Sequence, residues 1–120
     1  MAASLTEWSG KYSPFTLKTN ERYFTLWVVI KSFKHRGLKR FYERGDKSGI
    51  RPDLVATVDE ILTVLNAAAT PQALNLPGYR LHQLKGDWKG FWAVTVRANW
   101  RIIFRFERGD AFDVELIDYH

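Results

Sequence analysis

The sequence predicts an α+β domain in which two N-terminal helices pack on one face of an antiparallel-dominated sheet. Three observations predict it. Between residues 35 and 68 apolar side chains recur at three- and four-residue spacing, which is the period of a helix with one buried stripe. From residue 79 onward they alternate with polar ones, the period of a strand. The last three alternating runs are joined by Ala98-Asn99 and Arg108-Gly109-Asp110, connections short enough to make antiparallel hairpins the natural pairing.

The elements follow in order. Residues Met1 to Asn20 are polar, lack periodicity and contain Ser, Gly and Pro, which predicts a mobile extension outside the core. YFTLWVVI, Tyr23 to Ile30, predicts a first strand that continues through Lys31, Ser32 and Phe33; because this apolar run does not open the chain, no secretory signal is expected. His35 to Glu43 places Leu38, Phe41 and Tyr42 on one face of a short basic helix that Gly45 ends. Pro52 and Asp53 open a longer helix, reaching about Ala68, with Leu54, Val58, Ile61, Leu62 and Leu65 as its buried stripe. Thr70 to Gly78, broken by two prolines and a glycine, reads as a connector into strands near Tyr79–Leu84, Phe91–Arg97, Trp100–Phe106 and Ala111–Ile117. A length of 120 residues suits one core, and no repeat or second domain is visible.

Strand alternation sorts the sheet. Trp92, Val94 and Val96, Trp100, Ile102, Phe104 and Phe106, and Phe112, Val114 and Leu116 are expected against the helices. The opposite face receives Thr95, Arg97, Arg101, Arg105, Asp113, Glu115 and Tyr119, and is expected to be polar and mostly basic.

Composition excludes several chemistries. There is no cysteine, so disulfides, thiolate ligation and a thiol nucleophile are out. His35, His82 and His120 lie far apart in sequence and no HExxH occurs, which gives metal chemistry no sequence support; GxxxxGK[ST] and GxGxxG are also missing. No run approaches the roughly 18 apolar residues of a membrane span, so a soluble, cytoplasmic protein is expected. The net charge of +5 is unevenly spread: Lys31 to Arg51 carries +6 and Tyr79 to Arg108 carries +5, whereas Pro52 to Gly78 carries −3 and the final twelve residues −4. Concentrated positive charge suits nucleic acid, although membrane surfaces and acidic proteins attract it too.

Several residues offer chemistry. Arg101 sits between Trp100 and Ile102 in an apolar strand, where its guanidinium must be paired or face a cavity, and its planar fork suits a phosphate; the competing reading is a surface arginine paired with Glu115 or Asp113. His82 offers an imidazole, but a lone strand histidine is more often structural. Lys85-Gly86-Asp87 with Lys89-Gly90 forms a basic, glycine-containing loop, or simply a charged turn. Asp118-Tyr119-His120 ends the chain with an acid, a phenol and an imidazole, groups that either fray or serve proton transfer beside the arginine face.

With IKSFKHRGLKRFYERG, LPGYRLHQLKGDWKG, NWRIIFRF and the closing DYH in this order, the chain from Ile30 to His120 resembles HigB-type toxins of the RelE/ParE superfamily of bacterial toxin–antitoxin modules. The resemblance implies a RelE-like fold and a ribosome-dependent endoribonuclease that cuts mRNA without metal or cofactor. It also implies a HigA-like helix-turn-helix antitoxin as partner, with DNA met only through that antitoxin. Carried over position by position, it implies His82, Lys85, Arg101, Asp118, Tyr119 and His120 as catalytic residues, with Lys85 and Arg101 stabilising the phosphorane and the others dividing proton transfer and orientation. Lys31, Lys34, Arg36, Lys39, Arg40, Lys89, Arg97 and Arg105 are the expected contacts to RNA and ribosome. Family members begin near Val29. Residues 1–28 are therefore expected to be a non-catalytic extension, flexible or outside the native start, and 29–120 the toxin domain; an extension that packs on the sheet edge or touches a partner is the alternative. ParE-like relatives share the fold yet poison gyrase, and others only bind antitoxin, so fold alone does not fix the activity.

Overall fold

The computed structural model describes residues 15–19, 22–26 and 30–119, with side chains for 30–119. Two strands, β1 (Phe15–Thr19) and β2 (Arg22–Leu26), form an antiparallel pair of their own in which Phe15 faces Leu26 and Thr19 faces Arg22. Regular structure within Phe15–Thr19 departs from the expectation for that stretch. Of the expected strand from Tyr23 to Phe33, β2 covers residues 23–26, residues 27–29 lie outside the described residues, and 30–33 form no strand: Ile30 and Phe33 make single parallel bridges to Ala111 and Val114.

The reason lies in the partner strand. Asp113 adopts a left-handed backbone (φ 55°), a bulge that breaks the ladder on both sides. Its N–H donates to the Ser32 hydroxyl at 2.8 Å, so a side chain replaces the carbonyl a regular strand would present. Lys31 N to Ala111 O (2.7 Å) and Lys34 N to Val114 O (2.9 Å) resume backbone bonding on either side.

Helix α1 spans Arg36–Arg44. His35 caps it through Nδ1, which accepts from Leu38 N at 3.0 Å, and Gly45 closes it in a left-handed conformation (φ 72°) with its N–H on Phe41 and Arg40 carbonyls. The helix opening at Pro52 is first a 3-10 turn, Pro52–Leu54, and becomes α2 at Val55–Ala67. As the spacing required, Leu38, Phe41 and Tyr42 of α1 and Val58, Ile61, Leu62 and Leu65 of α2 are buried. Tyr42 ties the helices together by donating to Asn66 Oδ1 at 2.7 Å.

The main sheet has order β3-β4-β5-β6, all antiparallel, from His82–Gln83, Trp92–Arg97, Trp100–Glu107 and Asp110–Asp118. β3 is much shorter than the Tyr79–Leu84 run. Tyr79 is still the end of a turn, its N–H on Leu76 O, and Arg80 has φ 52°, which no extended strand tolerates. Tyr79 instead buries its ring and donates its hydroxyl to Glu60 at 2.6 Å. The β5–β6 connection is tighter than the three residues expected: Glu107 pairs with Asp110 across Arg108 and Gly109, both at positive φ, as a type I′ hairpin demands.

One buried cluster joins both helices to Val94, Val96, Ile102, Phe104, Ala111, Val114 and Leu116, with Trp92, Trp100 and Phe106 packed on it. Ala111 takes the place expected for Phe112, because the bulge at Asp113 shifts the alternation by one residue. Phe112 lies half-buried under the Arg105 guanidinium, 5.8 Å from its ring centre. The other face is also less polar than alternation suggested. Leu84, Phe91, Ala93 and Ile103 form a second buried cluster there, with Trp88 and Ile117 against it.

Candidate active site

Residues directly opposite on neighbouring strands share a face. His82 pairs with Ala93, Ala93 with Ile103 and Ile103 with Glu115; one row on, Thr95 pairs with Arg101 and Arg101 with Ile117. The face turned away from the helices therefore has an apolar floor, with His82 on one edge strand, Arg101 on an inner strand and Glu115 on the far one. Strand spacing of about 4.8 Å puts β3 about 10 Å from β5, a gap that His82 and Arg101 can close around one bound group.

Arg101 is half-buried. Its Nη1 donates to Ala98 O (2.6 Å) and Trp100 O (3.1 Å), which fixes the guanidinium on the β4–β5 hairpin. Nε is buried without a hydrogen-bond partner, as is the Thr95 hydroxyl opposite. Among the described residues no carboxylate lies within ion-pair distance of Arg101. Arg105, two residues on, takes the pairing that had been weighed for Arg101: Nε meets Asp113 at 2.9 Å and Nη1 meets Glu107 at 2.6 Å, and both carboxylates raise its pKa further. The two arginines thus differ in kind, one paired to two carboxylates and one held by carbonyls with no carboxylate on it among the described residues.

His82 is exposed, and its Nδ1 lies 2.8 Å from Arg80 O. A carbonyl only accepts, so Nδ1 carries the proton and Nε2 is the basic atom of the neutral ring. Lys85 is exposed at the start of a 3-10 turn, Gly86–Trp88, and with Gln83, Leu84, Gly86, Lys89 and Gly90 lines a hollow of about 370 Å³. Tyr119 is 40% exposed, and its N–H donates to Asn99 O at 2.8 Å, tying the end of β6 to the hairpin that holds Arg101. Asp118 goes the other way. It pairs with Trp100, on the helix side, and is close enough to Arg51 to help raise that guanidinium's pKa, after Asp53. His120 lies outside the described residues.

Apart from Arg105, the expected RNA contacts are spread over several surfaces. Lys34 reaches the apolar floor, its Nζ 5.6 Å from the Phe91 ring centre, and Lys89 lines the hollow beside Lys85. Arg36, Lys39 and Arg40 line a shallow groove of about 280 Å³ on α1 with Glu43 and Arg44; Arg40 also lies 3.6 Å from Asp46. Arg97, expected beside Arg101, leaves that face at an irregularity in β4 that sets it opposite Trp100, and its guanidinium lies 3.8 Å from Asp53. Lys31 is exposed.

Sequence reasoning placed Thr95 on this face but missed Trp88 and Phe91 as parts of it, and His35 at its rim. His35 is held below its usual pKa by burial, which outweighs the opposing pull of Glu115; Arg40 lowers it further. Alternation around residues 86 to 91 gave no signal for the aromatic pair, because a turn separates Trp88 from β4.

Among known proteins, the family described as "RelE-like toxin of type II toxin-antitoxin system HigB" matches residues 31–120. The chain is 47% identical over 92 residues to the Endoribonuclease HigB of Proteus vulgaris, a match covering 77% of this chain and 100% of that protein. It is 30% identical over 86 residues to Toxin HigB-1 of Vibrio cholerae serotype O1, covering 70% and 90%. On both the family match and these relatives, this chain belongs to the RelE-like HigB toxins of type II toxin–antitoxin systems.

Proposed function

We propose that this toxin is an endoribonuclease that cuts mRNA on the ribosome by acid–base chemistry without a metal. The observation that carries this reading is Arg101: a guanidinium fixed on the open face of the sheet, with no carboxylate on it among the described residues, on the same face as His82. The relative named Endoribonuclease HigB supports the activity.

The chemistry is attack of a ribose 2′-hydroxyl on the adjacent phosphorus, with loss of the 5′-oxygen of the next nucleotide. Negative charge grows on the phosphoryl oxygens in the transition state, and Arg101 and Lys85 meet it. His82 Nε2 is suited to proton transfer. Tyr119, held by Asn99, and His120 share the remaining proton transfer and orientation. Asp118 joins the set by fixing the terminal segment from the helix side, where Arg51 lies.

As a toxin of a type II module it has an antitoxin partner. A HigA-like helix-turn-helix protein, the ribosome and mRNA are the partners proposed, with DNA reached only through the antitoxin. No helix among the described residues is long and apolar enough to cross a membrane, and the site of action proposed is the cytoplasm. Residues 29–120 are the proposed toxin domain, with 1–28 an extension not needed for cleavage.

The test is a translation-coupled assay in which mRNA ends are mapped by primer extension after expression without antitoxin. Discrete new ends that require translation are expected. Arrest with intact transcripts would overturn the reading, and arrest with gyrase inhibition would replace it with the ParE-like one.

A further inference from the structure

Three tryptophans among residues 30–119 are partly exposed: Trp88, Trp92 and Trp100. Trp92 and Trp100 pack on the cluster under the helices. Trp88 packs on the other cluster, with Leu84, Phe91, Ala93 and Ile103, on the face that carries Arg101 and His82. Those four neighbours are already 8% exposed or less, so the floor is sealed while part of the indole still faces solvent.

The ring is held in place. Phe91 meets it edge to face, with centroids 5.4 Å apart and planes at 85°. The turn beneath is closed by Trp88 N to Lys85 O (3.3 Å) and Phe91 N to Trp88 O (2.9 Å). An aromatic surface already ordered in the free protein loses little entropy on meeting a ligand.

The space around it is open. Gly86 (φ 66°) and Gly90 (φ 95°) flank the turn, and a Cβ built on either would meet nothing within 4 Å. The adjoining hollow of about 370 Å³ lies at the small end of the range for small-molecule sites. Lys85 and Lys89 line it, and Lys34 covers Phe91 nearby, against a single acid, Asp87, within the turn. Cations set around an ordered, part-exposed aromatic suit one class of ligand above others: single-stranded nucleic acid, which supplies phosphates and planar bases together.

We propose that Trp88, flanked by Lys85 and Lys89, is a stacking subsite for an RNA base flanking the scissile phosphate. The proposal rests on the nuclease reading for the identity of its ligand, and it adds a residue to which that reading gave no part. Lys89 would hold the phosphate of the stacked nucleotide while Lys85 and Arg101 attend the one being cut. Stacking accepts any base, so Trp88 would add affinity and favour purines by their larger surface without reading a sequence.

The test uses the full chain and short oligoribonucleotides carrying 2′-O-methyl groups, which bind but cannot be cut. Binding is followed at low salt, where phosphate contacts are strongest, by the indole N–H resonance of Trp88, assigned by its loss in Trp88→Tyr. The wild-type resonance is expected to shift and saturate. Trp88→Leu, which keeps an apolar side chain on Phe91, should weaken binding roughly five- to a hundredfold, Trp88→Tyr should stay within about threefold of the wild type, and an abasic oligonucleotide should bind the wild type as poorly as the base-bearing one binds Trp88→Leu. Equal binding by Trp88→Leu, equal binding of the abasic strand, or no binding by the wild type would each overturn the proposal. A chain that binds bases through Trp88 yet never cuts translated mRNA would sink the nuclease reading and leave the subsite standing; one that cuts unimpaired as Trp88→Leu would sink the subsite alone.

Discussion

Thr95 and Arg101 face each other across β4 and β5, and each buries a polar atom, Oγ1 and Nε, that no hydrogen bond satisfies. Leaving such a group unpaired typically costs about 1–3 kcal/mol. The strain is local to the face that carries the proposed chemistry, while the helix-side core, which includes Ile102 and Phe104, is wholly apolar where it is deepest.

Thr95→Val keeps the shape and the branching of the side chain and removes the orphaned hydroxyl. It should therefore stabilise the protein, by about 1 kcal/mol, seen as a higher urea midpoint at unchanged slope. A lower midpoint would mean that the hydroxyl has a partner in solution.

Arg101→Ala should abolish cleavage while the fold survives, because Trp100, Ile102 and Phe104 pack on the opposite face. Loss of one preorganised donor typically costs on the order of 100- to 1000-fold in rate. Arg101→Lys should rescue little, since an ammonium cannot reproduce the fork. Single-turnover cleavage beside a melting curve within a few degrees of wild type is the measurement; a well-folded, fully active Arg101→Ala would remove Arg101 from the mechanism.

His35 makes stability depend on pH. Its Nδ1 accepts the cap bond from Leu38, so the folded state favours the neutral ring, and burial holds its pKa below 6.5. Below pH 6.5 the unfolded chain takes the proton first. The contribution is therefore fully present above that pH and is lost as pH falls toward the depressed folded value. His35→Asn keeps a capping side chain and should flatten this part of the profile, read as the difference between the two proteins' denaturation midpoints from pH 7.5 to 5. Parallel profiles would rule His35 out as the source.

Reversing Lys34, Lys39 and Arg40 to Glu should weaken ribosome association and reduce its salt dependence, as fewer counterions are released. Co-sedimentation across a salt series measures both. Unchanged binding would leave α1 as scaffold only.

Much of the fold was legible because its signals are local. Leu38, Phe41 and Tyr42, and Val58, Ile61, Leu62 and Leu65, occupy the buried positions that their spacing required. Failures came where one residue reverses the backbone: Asp113 moved Phe112 out of the core and Ala111 into it, and Arg80 cut β3 to two residues. The same applies to the site. Arg101 lies on the open face as alternation implied, and His82, which alternation had not assigned, joins it there through Ala93; Arg97 leaves that face through an irregularity in β4, while Asp118, a position supplied by the resemblance alone, pairs with Trp100 on the helix side. Nothing in the spacing of Trp88 could show that it shares a floor with Ile103.

The bridges that join Ile30 and Phe33 to β6 bear on how the protein is made. Ser32 and Asp113, bonded to each other, stand 81 residues apart. During synthesis the earlier segment leaves the ribosome while most of the sheet is still untranslated, and contacts of such separation close last. Glu115 and Ile117, which border the open face, belong to the same late strand, and Tyr119 directly follows it. A growing chain therefore cannot complete this face until β6 has left the ribosome, so the cluster of Ala93, Ile103 and Ile117 and the setting of Arg101 come into being only after the rest of the fold has been synthesised.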